Sequence, residues 1–173
     1  MNDGNRASAV ISRIRALLQK SAPERVAVDV NQIIQEATIL FRSELTRNRI
    51  SLRTDLVADL PPVSADRVQL QQVLINLVIN GIEAIRSIAH GPRELLIKSA
   101  KNHNEVSIQV QDSGSGLDPE HAEHIFEPFF TTKPGGIGMG LSISRSIIES
   151  HGGRLWAESG SRGAVFQFTL PTK

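Results

Sequence analysis

Between Asp66 and Ser87 (DRVQLQQVLINLVINGIEAIRS) the apolar residues recur with the helical period over a longer stretch than anywhere else in the chain. At 100° per residue, Val73, Leu74, Leu77, Val78, Ile82 and Ile85 share one broad side, as a core helix requires. The polar residues Gln69, Gln72, Asn76, Asn80 and Glu83 collect in one narrow stripe. Amides dominate that stripe where a solvated face would carry Lys and Glu. Taken alone, it serves equally as a solvated face or as the wall of a polar cavity.

Other segments follow the same logic. Val10, Ile11, Ile14, Leu17 and Leu18 give Met1 to Lys20 an amphipathic helical pattern without a neighbouring partner. Ser21-Ala22-Pro23 breaks it, which favours a protruding or docking helix over one folded onto the main domain. Val26 to Val30 reads as extended. Asp29 or Asn31 can then cap a helix reaching about Arg47, with Ile33, Ile34, Ala37, Leu40, Phe41 and Leu45 on its buried side. Ile50 to Leu56 alternates as a half-buried strand, Pro61-Pro62 follows, and Ser64 or Asp66 opens the long helix. Glu94 to Lys101 and Glu105 to Asp112 form a hairpin turning at His103-Asn104. After a loop-rich section, Ser113 to Gly136, a helix runs from about Met139 to Ser150 and is stopped by His151-Gly152-Gly153. Arg154 to Glu158 and Ala164 to Leu170 are the last strands. Early helices and late hairpin strands predict an α+β fold: a two-layer α/β sandwich with a mixed, largely antiparallel sheet and three main helices on one face, plus the N-terminal helix.

Composition narrows the function. A chain of 173 residues with 40% hydrophobic content suits one domain with an appendage. A net charge of +1 gives no argument for nucleic acid, and few aromatics, with Trp156 as the lone tryptophan, disfavour base stacking. Zero cysteines exclude disulfides and thiolate zinc sites and fit a reducing compartment. No signal peptide opens the chain, and no apolar run is expected to reach the roughly 18 residues of a membrane span.

Three constellations can carry chemistry. Asp112-Ser113-Gly114-Ser115-Gly116-Leu117-Asp118 closes a strand, offering a carboxylate acceptor followed by glycines that permit close ligand approach; a plain Ser/Gly turn is the alternative. Gly136-Ile137-Gly138-Met139-Gly140-Leu141-Ser142 feeds a helix start, where unpaired N–H groups and the positive dipole end favour an anion. No Gly-Lys-Ser/Thr is present for a Walker loop, and no strand precedes the glycines as a dinucleotide fingerprint needs, although Glu158 mimics its ribose-binding acid. Between them, Phe126-Glu127-Pro128-Phe129-Phe130-Thr131-Thr132-Lys133 is either a small loop-pinning core or the base of a lid carrying Lys133 toward phosphates. His121-Ala122-Glu123-His124 lacks the order and third ligand of a zinc site, and no nucleophile elbow supports a triad.

In this order the motifs resemble the ATP-binding catalytic domain of two-component sensor histidine kinases, the Bergerat fold shared with gyrase, MutL and the large heat-shock ATPases. QLQQVLINLVINGIEAI resembles the N box, DSGSGLD the first glycine box, FEPFFTTK the F box, GGIGMGLS the second glycine box and GRLWAESGSRGAVFQFTLP the terminal strands. The likeness spans roughly Val28 to Pro171, and the short Thr-Thr-Lys-Pro-Gly-Gly lid is most similar to PAS-linked and nitrogen-regulatory kinases. The resemblance implies residues 1–22 as the tail of a dimerisation helix hairpin and 23–173 as the ATP-binding domain. It implies Asn80 as Mg²⁺ ligand and Asn76 facing the phosphates. Asp112 would accept from the adenine amino group, supported by Gly114, Gly116 and Leu117. Gly136, Gly138, Met139, Gly140, Leu141 and Ser142 would surround the phosphates. Glu83 and Lys133 complete the candidate nucleotide contacts, and Asn76 and Lys133 are the candidate catalytic residues.

The implied activity is transfer of the ATP γ-phosphoryl to a histidine on a separate dimerisation domain, then to a response regulator. The implied setting is a cytoplasmic domain of a homodimeric full-length kinase, membrane-attached or not; the fragment itself can be monomeric. This chain departs from the pattern in three ways. Glu83 stands where many such kinases carry Lys three residues after the magnesium Asn, which makes Lys133 the candidate substitute. Gly163-Ala164 replaces Gly-Thr. His90, His103, His121, His124 and His151 all lack the setting of a phosphoacceptor, so the expectation is a fragment that binds ATP without phosphorylating itself. Alternatives are a related ATPase, a serine kinase of the anti-sigma type, and a binding module without catalysis. The ATPases place a general-base Glu where Asn76 stands, and an amide cannot take a proton from water. The long F box and the N-terminal helix argue against the serine kinase, and the intact Asn80, Asp112 and glycines against the degenerate module.

Overall fold

A five-stranded sheet runs in the order β2-β4-β5-β7-β6 through the structure, a computed structural model that describes residues 24–133 and 136–172. Its strands are β2 (Ser51–Leu56), β4 (Glu94–Asn102), β5 (Glu105–Asp112), β6 (Arg154–Ser159) and β7 (Ala164–Pro171). Only β2 and β4 run parallel; the other pairs are antiparallel, as expected for a mixed, largely antiparallel sheet. Four helices accompany it among the described residues: α1 (Val30–Leu40), α2 (Arg42–Arg47), α3 (Arg67–Ser87) and α4 (Gly140–Ser150). The predicted helix within Met1 to Lys20 lies outside the described residues.

Alternation along the strands fixes which face meets the helices. In β5, Val106, Ile108, Val110 and Asp112 are buried, while Ser107, Gln109 and Gln111 face the other way. On that second face Gln167 of β7 donates to Gln109 Oε1 at 3.3 Å. The helical layer packs on the first face. Leu74, Leu77, Ile82 and Ile85 of α3 join Leu95, Ile97, Ile108 and Phe168 of the strands in one core. α3 is long and apolar enough in composition to cross a membrane, but half of that stretch is buried inside this domain, as a core helix requires.

The two helices nearest the candidate site are tied where α3 begins and α4 ends. Near the start of α3, the Asp66 N–H donates to His151 Nε2 at 3.0 Å, and the other ring nitrogen, 2.7 Å from the Ile147 carbonyl, must carry the proton. His151 is therefore more than a helix stop. Buried and neutral, it links the N-terminus of α3 to the C-terminus of the antiparallel α4. Asp66 itself caps α3, accepting from the Gln69 N–H at 3.0 Å.

Most expected elements appear, with three corrections. The helix expected to run unbroken to Arg47 divides at Phe41, whose N–H bonds back to Thr38 three residues earlier in a tight turn. That turn brings Phe41 against the core and leaves Leu40, expected on the buried side, 59% exposed. Between the prolines and Asp66 lies a short strand, β3 (Val63–Ala65), antiparallel to β1 (Val26–Val28); Ser64 belongs to it and does not open the helix. Asp29 is the cap of α1, accepting from the Asn31 and Gln32 N–H groups.

Leu77 is fully buried at the centre of α3. Leu77→Ala should cost about 2–5 kcal/mol, read as a fall in Tm of roughly 2–4 °C per kcal/mol in thermal unfolding.

Candidate functional site

The nine residues from Asn76 to Ala84 bring the three expected constellations together. This part of α3 reaches the end of β5, the start of α4 and the loop carrying Lys133.

Asp112 is the last residue of β5 and only 3% exposed. Its Oδ1 accepts from the Gly114 N–H at 2.8 Å and the Ala164 N–H at 3.4 Å. Burial pushes the carboxyl above the usual carboxylate value; those two backbone N–H groups and then the Lys133 charge pull the other way without cancelling it. Close packing leaves no room for side chains around it. A Cβ on Gly163 would lie 2.6 Å from Asp112 Oδ1, and one on Gly114 would overlap the Ala84 backbone of α3. Leu117, just beyond Gly116, packs against the core.

The start of α4 is the second wall. Met139 occupies the cap position, and among the described residues no side chain caps the helix. Ile143 makes the first intrahelical bond, back to the Met139 carbonyl at 3.1 Å. The N–H groups of Gly140, Leu141 and Ser142 thus open the helix as an anion site requires. Gly140 rests directly on α3, where an added Cβ would lie 2.5 Å from Asn76 Oδ1. The Asn76 amide Nδ2 donates to Ser144 Oγ at 3.0 Å, so this buried residue braces the helix start as well as lining the site. Ser142 turns its hydroxyl inward to the Met139 carbonyl at 3.0 Å.

The third wall is the loop between them. Its three Phe residues do not form one small core. Phe126 is buried, edge-on to Phe166, with the Arg145 guanidinium 3.9 Å from its ring centre. Phe130 packs against His121 and His124. Phe129 is 71% exposed and holds φ at +68°, unusual for a bulky residue, with its N–H donating to the Gly138 carbonyl at 2.9 Å. Beyond it, Lys133 reaches α3: Nζ lies 3.1 Å from Asn80 Oδ1 and 2.5 Å from Glu83 Oε2. The Gly136 N–H closes a turn onto the Lys133 carbonyl at 3.1 Å.

Several contributors were not singled out in the sequence. Gly81 faces Leu95 and Asp112, and a lone Gly inside a strongly periodic helix signals such close packing. Ser144 and Ala84 carried no comparable signal. Among the described residues no cluster of three His, Cys, Asp or Glu could hold a metal. His121 and His124 pair instead with Asp118 and Glu127.

Residues 65–173 match the family described as histidine kinase-, DNA gyrase B-, and HSP90-like ATPase. The chain is 42% identical over 168 residues to the sensor protein FixL of Bradyrhizobium diazoefficiens, a match covering 96% of this chain and 33% of FixL. It thus spans about a third of the length of that curated relative. The catalytic domain of the histidine kinase ThkA, in a nucleotide-free form, has a TM-score of 0.78 at 39% identity, with 86% of this chain and 96% of that one covered. ThkA in complex with the response regulator TrrA gives 0.81 at 34% identity, covering 99% of this chain and 49% of that one.

The raised Asp112 carboxyl carries a stability consequence. Its contribution is fully present below the ordinary value of 3.8 and is lost as pH rises through the elevated folded-state value. At pH 7 the buried carboxylate therefore destabilises the fold. Asp112→Asn keeps an oxygen for the Gly114 and Ala164 N–H groups and removes the charge. Thermal unfolding without nucleotide should show a higher Tm for Asp112→Asn at pH 7, with the gain shrinking toward pH 4.

Proposed function

Because this chain belongs to the histidine kinase-, DNA gyrase B-, and HSP90-like ATPases, we propose that it is the part of a sensor histidine kinase that binds ATP and presents the γ-phosphoryl to a histidine on a separate domain. The observation that carries this reading is the contact of one helical stretch, Asn76 to Ala84, with all three loops at once. Asp112 accepts from the adenine amino group, with Gly114, Gly116 and Leu117 beside it. Gly136, Gly138, Met139, Gly140, Leu141 and Ser142 direct the positive end of α4 at the phosphates. Asn76 holds that helix start in register, and Lys133 supplies the charge that Glu83 cannot.

A magnesium ion fits this donor set. The Lys133 ammonium lies against Asn80 Oδ1, so that oxygen already faces a cation. Mg²⁺ takes few protein oxygens and completes its shell with water and phosphate, which a single amide oxygen suits. When bound, the ion would neutralise charge on the phosphate oxygens. Asn80 is the residue that would hold it.

Hydrolysis to water fits less well. A general base would stand at Asn76, and the residue there is an amide whose Nδ2 donates to Ser144. Transfer to a histidine needs an acceptor from elsewhere, because none of the five histidines offers one. His151 is buried and bonded through both nitrogens, and the rest sit on surface loops. The partner is accordingly a dimerisation domain carrying the phosphoacceptor, with residues 1–22 as the tail of its helix hairpin and 23–173 as the ATP-binding domain. The downstream partner is a response regulator, a reading supported by the ThkA–TrrA complex. The domain works in the cytoplasm, and the full-length kinase is a homodimer.

In calorimetry, Asp112→Asn and Asn80→Asp should each weaken Mg·ATP binding at least tenfold (about 1.4 kcal/mol or more). Unchanged affinity in either would remove that residue from the site. With labelled ATP, the chain alone should yield no acid-labile phosphohistidine, and adding the phosphoacceptor domain in trans should produce it. Label that never appears in the mixture would favour a nucleotide-binding module.

A further inference from the structure

We propose that Glu83 is a positioning residue whose task is to seat the Lys133 ammonium on the Asn80 amide oxygen, so that Lys133 and a divalent cation compete for one oxygen. This rests on the nucleotide reading above and adds a regulation of that site. Lys133 comes from a loop 50 residues further along the chain, yet Nζ meets Glu83 Oε2 at 2.5 Å and Asn80 Oδ1 at 3.1 Å. Asn80 and Glu83 are three apart on α3 and so lie on one face of the helix. A lone carboxylate at residue 83 would repel phosphates. Paired with Lys133, it is neutralised, and the pair puts a positive charge on the oxygen assigned to magnesium.

Both side chains are 44% exposed, so the pair is held weakly and a multiply charged ligand can open it. An oxygen bonded to an ammonium cannot also bind Mg²⁺ at the roughly 2.0–2.1 Å that ion demands without forcing two cations together. Lys133 would therefore have to leave Asn80 for that oxygen to hold a metal ion. The released ammonium stays tethered beside the phosphates, its loop turned by the Lys133 N–H donating to Thr131 Oγ1 at 3.1 Å. One cation leaves Asn80 as another takes it, and Glu83 sets how firmly the first is held. No covalent step is involved.

The sign of one substitution separates this from the alternatives. Glu83→Gln loosens Lys133 and should tighten ADP binding in the presence of MgCl₂ by roughly two- to fivefold, the range expected of an exposed ion pair. Weaker binding would make Glu83 a metal ligand, and unchanged binding would make the pair a surface contact without a role; either overturns the proposal. The gain should also be larger with MgCl₂ than in EDTA. An equal or larger gain in EDTA is plain relief of charge repulsion, and it too overturns the proposal. Without added nucleotide or MgCl₂, the Asn80 side-chain amide resonance should shift in both Glu83→Gln and Lys133→Met, and no shift in either contradicts the seating of Lys133. Wild-type protein that fails to bind Mg·ADP would instead refute the nucleotide reading, whatever the spectra without nucleotide show.

Discussion

One helical stretch sets the register of everything in the site. From Asn76 to Ala84, α3 touches the start of α4 through Asn76, the Lys133 loop through Asn80 and Glu83, and the end of β5 through Gly81 and Ala84. A helix rises about 1.5 Å per residue, so these contacts occupy roughly 12 Å of one rigid rod. Rigidity comes from burial: Leu74, Leu77, Val78, Ile82 and Ile85 anchor the rod in the core on the side away from the polar stripe. The far end of α3 is pinned by His151, which bonds the Asp66 N–H and the Ile147 carbonyl at once. Two ties between antiparallel helices, one at Asp66 and one at Asn76, leave little freedom for either to slide.

Within that frame the site accepts local cost. Asp112 is kept buried although burial disfavours its charged form, and two backbone N–H groups compensate only in part. Phe129 holds a backbone conformation that bulky residues avoid. The amides that open α4 are left without a capping side chain among the described residues. Asp112 and the start of α4 would both be satisfied by a ligand that offers a donor to the carboxylate and negative charge to the helix. A purine linked to phosphates would meet both needs.

Much of this was legible in the sequence because it depends on local chemistry. The period of Val73 to Ile85 announced α3, the acceptor followed by glycines announced the end of β5, and Gly136 to Ser142 announced an unobstructed helix start. The failures share a cause. The break at Phe41 carries neither Gly nor Pro and comes from a change of hydrogen-bond spacing, which residue types do not encode. β3 is three residues long and is held by distant partners, pairing with β1 and bridging from Val63 to Thr172. The pairing of Glu83 with Lys133 joins residues 50 apart, so Glu83 looked like a misplaced charge until the loop was seen to bring its partner. The bond of Asn76 to Ser144, 68 residues away, likewise has no trace in the local pattern.

The central claim is that three loops form one ligand site because α3 fixes them together. Backbone amide NMR during a titration with Mg²⁺ and a non-hydrolysable ATP analogue tests it most directly. Resonances of Asp112 to Gly116, Asn76 to Ala84 and Gly138 to Ser142 should move together and saturate at one common ligand concentration. Perturbations confined to one of these segments, or saturating at different concentrations, would contradict it.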